Sequence, residues 1–528
     1  MDVLIAGGMV RALQGLAAAS PTLLVGMLVA AVLRYYLGPQ GTVRFFGGDS
    51  LRSLPQSWLI GMLLPVCSIG VIPIIREMKR VGIRPGAITA FAVSAPLFNP
   101  LSLMYGLTLS RPLVIIGFAL ASLLVVTAMG IIWDRTTSWQ SGDHPREGGP
   151  IGLKRLGVCA IFMSRELYGP TGGLTLVAIA GLFLLGVVLP HGALQSSVEQ
   201  LDPWAPLKMA LVAFPIYATP MLTMSQLGMM FAHGNSPGAA FCLLLLGTGV
   251  NLATIWWIAR SYGWKPMAIW CMTLFLLVLA CAYAVDRPLI PPGIEPAGHT
   301  HAFDIYTNPF QQSSPLSFSL VVDTTLKSIG WADFIGLGIA AIVLVFGVVF
   351  RTMVSVRVAA FETSTPDSSQ ATATGLNRHV SSRLVGTICL GGLVAFSIVS
   401  CYAYYPAPNE VLEEMRLART EVLSGAASGD FKRTLHWIPI LDEWSRKLEV
   451  GHAIRYFQLR PYQQMQAFLL RKKLELLEHA VEHALEAAGK DTELGKIQLE
   501  EERQEIKVLQ AEISKNGRRL IDAFAPVK

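Results

Sequence analysis

The sequence predicts an all-α polytopic membrane protein of about ten transmembrane helices, with two parallel four-helix repeats and a soluble helical hairpin at the C-terminus. Three observations carry this. Of 528 residues, 52% are hydrophobic and 15% charged, against roughly 25% charged in a globular domain. Apolar runs of about 17 to 25 residues recur along the chain, the length a helix needs to cross roughly 30 Å of hydrocarbon. After Tyr405 the composition turns charged, with apolar residues at helical spacing. The formal charge of +6 is spread along the chain without a basic stripe, so nucleic acid is not an expected partner.

The apolar runs are Leu16–Leu33, Trp58–Ile75, Ala87–Leu109, Leu113–Trp133, Leu174–Leu189, Leu207–Phe231, Ala239–Ile258, Met267–Val285, Phe334–Phe350 and Leu384–Tyr402. No basic region precedes the first, which reads as a retained helix and not a cleaved signal. Seven scattered cysteines form no CxxC pair and read as small buried thiols.

Runs one to four and five to eight superpose at one offset, 152 residues. "GIRPGAITAFAVSAPLFN" and "GNSPGAAFCLLLLGTGVN" match without a gap at Gly82/Gly234, Pro85/Pro237, Gly86/Gly238, Ala87/Ala239 and Asn99/Asn251. Four spans separate each element from its copy, so parallel halves related by an axis along the membrane normal are expected. The implied organisation is a first repeat over 1–136, a linker over 137–172, a second repeat over 173–286 and a loop over 287–333. Two additional helices over 334–404 and a soluble, coiled-coil-like region over 405–528 complete it.

In that last region Leu470, Leu474, Leu477, Val481 and Ala484 alternate steps of four and three, as do Leu499, Ile506, Leu509, Ile513 and Leu520, with "AAGKDTELG" as the turn. This is the pattern of an antiparallel hairpin, a candidate for self-association. The Ser/Thr-rich "FETSTPDSSQATATG" reads as a flexible connection.

Basic residues Arg76, Lys79, Arg80 and Arg84 between runs two and three favour a multi-pass chain in the cell membrane with both termini and the C-terminal region cytoplasmic. Arg351, Arg357, Arg378 and Arg383 before run ten argue for the opposite sense.

Prolines interrupt three of the runs. Pro65 and Pro73 flank Gly70 in "LLPVCSIGVIPIIREMK", Pro96 and Pro100 flank Asn99, and Pro215 and Pro220 flank Tyr217. In hydrocarbon an unpaired backbone group costs several kcal/mol, so such breaks belong in a protein interior or beside a cavity. Broken helices at matching positions of two repeats point to a midplane substrate site, to which Cys67, Ser68, Asn99, Tyr217, Thr219 and Asn251 would contribute a thiol, hydroxyls and amides. The plainer alternative is proline kinks with Ser and Asn satisfying backbone between packed helices.

These strings resemble the YraQ-type predicted permease family, which includes organoarsenical efflux permeases and proposed copper/zinc exporters. The resemblance covers roughly Leu16 to Val285. Pro65, Cys67, Ser68, Gly70 and Pro73 match the family's first motif, Pro215 and Tyr217 its second, and Gly86, Asn99, Gly238 and Asn251 the helices that follow. It implies a permease that moves a small solute by alternating access, with a thiophilic cargo. Ile69 stands where the family has a second cysteine, and Ala218-Thr219 replaces the cysteine of the second half. A soft metal wants several thiolates and only Cys67 remains, so an uncharged or weakly polar organic solute suits these side chains.

The eight repeat spans hold no Asp or Glu well inside them, and no GxxxxGK[ST] pattern is present. His299, His301 and Asp304 in "HTHAFD", and His479 with His483, read as polar surface residues, so no metal or cofactor is expected. No span pairs a nucleophile with a base, which disfavours an enzyme. The competing reading is a membrane-anchored scaffold or receptor that works through its C-terminal helices.

Overall fold

Every expected span is helical in the computed structural model, which describes residues 3–48, 50–110, 112–137, 154–194, 198–290, 300–311, 316–353, 382–489 and 493–525, but several spans are interrupted. In chain order the first repeat region contains α1 (Val3–Val32, continued by a π-helical turn, Leu33–Leu37), α2 (Gly38–Phe45), α3 (Ser53–Leu63), α4 (Val71–Arg80), α5 (Pro85–Ser94), α6 (Pro100–Leu109) and α7 (Pro112–Thr136). Next come α8 (Lys154–Tyr168), α9 (Pro170–Val188), α10 (Ala205–Ala213), α11 (Pro220–Ala232), α12 (Pro237–Cys242, continued by a π-helical turn, Leu243–Thr248), α13 (Leu252–Tyr262) and α14 (Trp264–Asp286). A 3₁₀ turn (His301–Tyr306), α15 (Phe318–Lys327), α16 (Trp331–Met353) and α17 (Ser382–Tyr404) follow. The helices α18 (Pro408–Ser428), α19 (Phe431–Tyr456), α20 (Pro461–Ala488) and α21 (Glu493–Phe524) end the chain. It divides into two compact units, Met1–Gly106 with Ser110–Ser397, and Ile398–Lys528 with Leu107–Leu109.

Among the described residues five helices are long and apolar enough to cross a membrane: Val3–Phe45, α7, α9, α14 and Trp331–Val349 of α16. A sixth forms if α12 and α13, bent by 56° at their break, count as one span. Runs two, three and six are each two short helices instead of one straight span. The region expected as a linker contains α8, and the loop over 287–333 contains the 3₁₀ turn and α15. The Ser/Thr-rich stretch, Arg357, Arg378 and the tip of the C-terminal turn lie outside the described residues.

Helix directions overturn the expected parallel relation of the halves. Gly8 of α1 lies against Phe183 and Val187 of α9, and Gly15 against Ile179 and Leu182, so these corresponding helices run antiparallel. The cause is that α3 and α4 do not cross. Gly61 of α3 approaches Ser94 and Ala95 near the end of α5, while Leu54 shares with Gly86 the neighbourhood of Gly130 on α7. Thus α3 runs alongside α5, whose first residue lies five positions after the last of α4. The α3–α4 pair therefore starts and finishes at the end where α5 begins.

Corresponding ends are built alike. The helices α4 and α11 close on Gly82 and Gly234, both with φ in the left-handed region (75° and 65°). Ile83 N donates to Met78 O at 3.1 Å and Asn235 N to Met230 O at 2.8 Å, the six-to-one bond of a Schellman stop. Pro85 and Pro237 then open α5 and α12 at the first helical position, where a missing N–H removes no bond.

In the C-terminal unit, α20 packs along α21 and α18 along α19, with α19 against α20 and α18 against α21. The expected two-helix hairpin thus has two further helices on it. Leu470, Leu474, Leu477, Val481, Ala484, Ile506, Leu509, Ile513 and Leu520 are buried in a common core with Val411, Val422 and Leu441, while Leu499 is partly buried.

Candidate functional site

The breaks sit where the two halves meet. Thr22, midway along α1, donates its hydroxyl to Cys67 Sγ at 2.8 Å, and Gly70 N lies 3.3 Å from the same sulfur. A side chain at Gly26 would strike the Gly70 carbonyl, and one at Gly181 of α9 the Pro215 carbonyl, so small residues let both breaks press against long helices. Tyr217 of the second half lies beside Cys67 and Thr22 and interacts with both, yet its hydroxyl meets no partner at hydrogen-bonding geometry. Gly249, in the break before α13, touches Leu97, in the break after α5. Each of these two contacts joins a break of one half to a break of the other.

Their roles differ. Asn99 caps α6 by accepting from Ser102 N at 2.7 Å, and Asn251 caps α13 by accepting from Thr254 N at 2.9 Å. Thr219 caps α11 at 3.4 Å from Leu222 N. These side-chain oxygens serve backbone, as the plainer alternative held. Pro100 and Pro220 occupy first helical positions, and Pro73 the third residue of α4, so they begin helices and do not break them. Pro65, Pro96 and Pro215 lie in the non-helical stretches themselves. The buried Ser68 hydroxyl and the Asn251 amide nitrogen, like Tyr217, make no hydrogen bond to protein. An unpaired buried polar group costs about 1–3 kcal/mol.

Two carboxylates missed by the sequence reading hold this arrangement. Asp134 at the end of α7 accepts from Gly86 N at 2.7 Å, and Asp286 at the end of α14 accepts from Gly238 N at 2.8 Å and from Ser236 Oγ at 2.6 Å. Each satisfies the open N-terminus of a broken span. A Cβ at Gly86 or Gly238 would meet the Gly130 or Ala282 carbonyl at 2.4 or 2.7 Å, so glycine allows the close crossing. The available signal was the offset itself, since 134 and 286 also differ by 152.

The two ends of α1 differ. At one end Arg34, on its π-helical turn, lines a cavity of about 400 Å³ with Pro73, Arg76, Lys79 and Trp257. At the other end Arg11 donates to the carbonyls of Asp304 and Thr307, and the chain around the 3₁₀ turn packs inward with Phe303, Tyr306 and Phe310 buried. Gln226 of α11 donates to Ala302 O at 2.7 Å and accepts from Tyr306 OH at 2.9 Å. At 1.5 Å per residue Thr22 stands roughly 17 Å from Arg11 and roughly 18 Å from Arg34 along α1. Cys67 is therefore about midway between an open vestibule and a filled end. His299 lies outside the described residues, and among those described no group of three or more metal-binding side chains occurs.

Residues 13–287, just over half the chain, match the ArsP_1 family, described as "Predicted permease". The chain belongs to this permease family. The resemblance carried by the paired proline motifs is thereby borne out, and the family and the long apolar helices make this a multi-pass membrane protein. A stretch of 85 residues, 16% of the chain, is 28% identical to the UPF0718 protein YcgR of Bacillus subtilis (strain 168) and spans 29% of that protein. No solved structure matches the chain. The permease family region ends at residue 287, so the 3₁₀ turn, α15 to α17 and the C-terminal unit lie beyond it.

Proposed function

We propose that this permease moves a small solute by alternating access through a mid-membrane site between two inverted repeats, at the breaks marked by Cys67, Ser68, Tyr217 and Asn251. The observation that carries the reading is that Leu97 of one break touches its own counterpart, Gly249, in the other, while Cys67 lies beside Tyr217, two positions from its counterpart Thr219. Residues that touch their symmetry mates lie on a two-fold axis. Phe118 packs on Phe241 with ring centroids 5.3 Å apart, and the exchanged pair, Trp270 and Thr89, meets at 3.4 Å. Because α1 and α9 are antiparallel, that axis lies in the membrane plane, as in inverted-topology transporters, whose sites sit at the repeat interface.

The filled end fits the same scheme. Tyr105 and Ser225 meet there at 3.5 Å, while their counterparts near the vestibule, Trp257 and Pro73, line an open cavity. The chain around His301–Tyr306, held by Gln226, acts as the closed gate opposite the vestibule. The basic residues Arg76, Lys79, Arg80 and Arg84 support a cytoplasmic vestibule, a reading that gives the start of α1 the far side instead of the arrangement with both termini inside. Loading from the cytoplasm suits efflux.

The test is survival of cells lacking their own exporters on a panel of arsenicals, metals and organic acids. The expected result is tolerance to at least one solute that disappears in Ser68→Leu and Gly249→Leu, which fill the break region, at equal membrane levels. A panel with no protected solute, or variants that protect like the parent, overturns the reading. The separate core of the C-terminal unit favours a scaffold as the second reading. Deleting residues 408–528 should then remove all function, whereas a permease retains flux.

A further inference from the structure

The vestibule has a charge pattern that the transport reading does not use. Four cations line it, Arg34, Arg76, Lys79 and Arg80, with two carboxylates, Glu77 and Glu166. Glu77 is buried and takes Arg80 through both oxygens, with Arg34 at 4.0 Å. Glu166 takes Arg76, and Thr171 donates to the same carboxylate at 2.7 Å. Lys79 is different. Its ammonium donates to the Ser261 carbonyl at 2.6 Å and lies 4.4 Å from the Tyr262 ring centre, and among the described residues it pairs with no carboxylate. Two of its three N–H donors remain uncommitted to protein. The remaining walls include Phe162, Trp257 and Pro73.

We infer that the vestibule is a loading site for a small organic monoanion, a carboxylate or phosphonate on an apolar body. Cations outnumber carboxylates four to two, so a metal cation or an ammonium solute is repelled and one negative charge is welcome. The anionic head meets Lys79, with Arg76 adjacent, through charge-assisted hydrogen bonds. The body lies on Phe162 and Trp257, which supply apolar area that inorganic phosphate cannot use. Pro73 connects the vestibule to α4 and the Cys67 break, so the anion is loaded at the mouth of the route. This inference rests on the transport reading for its purpose, but binding is measurable without transport.

The experiment is equilibrium dialysis of radiolabelled benzoate against the full chain in phosphatidylcholine nanodiscs. Benzoate should bind, the neutral isostere benzamide and inorganic phosphate should each compete at least about tenfold more weakly, and added salt should weaken binding. Lys79→Gln should cost about tenfold or more, and Lys79→Arg should restore most of it. Benzamide or phosphate competing as well as benzoate, no binding at all, or an unaffected Lys79→Gln each overturns the proposal. Loss of benzoate binding when phosphatidylglycerol is added to the discs also overturns it, in favour of a lipid headgroup. Binding without any flux in proteoliposomes keeps this site and sinks the transport reading. Flux of a neutral solute without anion binding does the reverse.

Discussion

At the scale of single residues, the matched positions of the two halves each answer a backbone requirement. Gly82 and Gly234 supply left-handed stops, Asn99 and Asn251 supply caps, and Gly86 and Gly238 allow a close helix crossing. The matched residues are therefore structural ones, and three of the expected substrate ligands, Asn99, Thr219 and Asn251, cap helices. Asp134 and Asp286 make the same point in reverse. Near the ends of apolar runs they look like interfacial charges, and only their hydrogen bonds reveal them as caps. Asp286→Ala should cost about 1–2 kcal/mol of stability and Asp134→Ala less, because Asp286 accepts two hydrogen bonds and Asp134 one. Asn at either position keeps an acceptor and should cost less. Thermal unfolding of the purified chain in detergent checks the order; equal effects of the two alanines would contradict it.

At the scale of elements, the broken runs were legible but their direction was not. Proline, glycine and polar residues announced interruptions in "LLPVCSIGVIP" and "FPIYATP", yet composition is the same whether a chain continues across the membrane after a break or turns back. Contacts decide it, because α3 follows α5 while α4 returns to the end where α5 begins. The 3₁₀ turn was equally hidden, since Phe303, Tyr306 and Phe310 are too sparse to register as an apolar run. Gln226→Leu removes both of its side-chain bonds to that segment and should loosen the filled end. In a chain whose other cysteines are serine, a membrane-impermeant thiol reagent applied from that side should label Cys67 several-fold faster than in the parent. Unchanged labelling would show that the segment does not gate the route.

At the scale of the whole molecule, the C-terminal unit has its own core and its own electrostatics. Glu449 of α19 is buried against Arg471 of α20. Glu449→Ala leaves the guanidinium uncompensated and should destabilise the unit by about 3–5 kcal/mol, whereas the Glu449→Met, Arg471→Met pair should come close to the parent. Limited proteolysis of the full chain against temperature reports both. His452, packed between Tyr456 and Phe524, is held below its ordinary 6.5 by burial, with Arg460 adding to the depression and the nearby Gln458 backbone opposing it. The unfolded chain then takes up a proton before the folded one does. This stability is present above 6.5 and is lost as pH falls toward the depressed folded value. The Glu449 carboxyl, raised by burial against the pull of Arg471, acts in the opposite sense. It is common to both chains, so comparing the parent with His452→Phe isolates the histidine. The variant should lose less stability between about pH 7.5 and pH 5.5.

Hydropathy and proline spacing were enough to determine a helical membrane protein of a permease family with interrupted helices. These are local properties, set by transfer free energy and backbone bonding within a few residues. Tertiary packing alone decided that α1 and α9 run antiparallel, that Cys67 of one break lies beside Tyr217 of another, and that one end of α1 borders an open cavity while the other is filled. Those outcomes depend on which distant segments touch, and a chain of apolar residues packs in either direction at nearly the same local free energy until particular glycines, caps and ion pairs choose one.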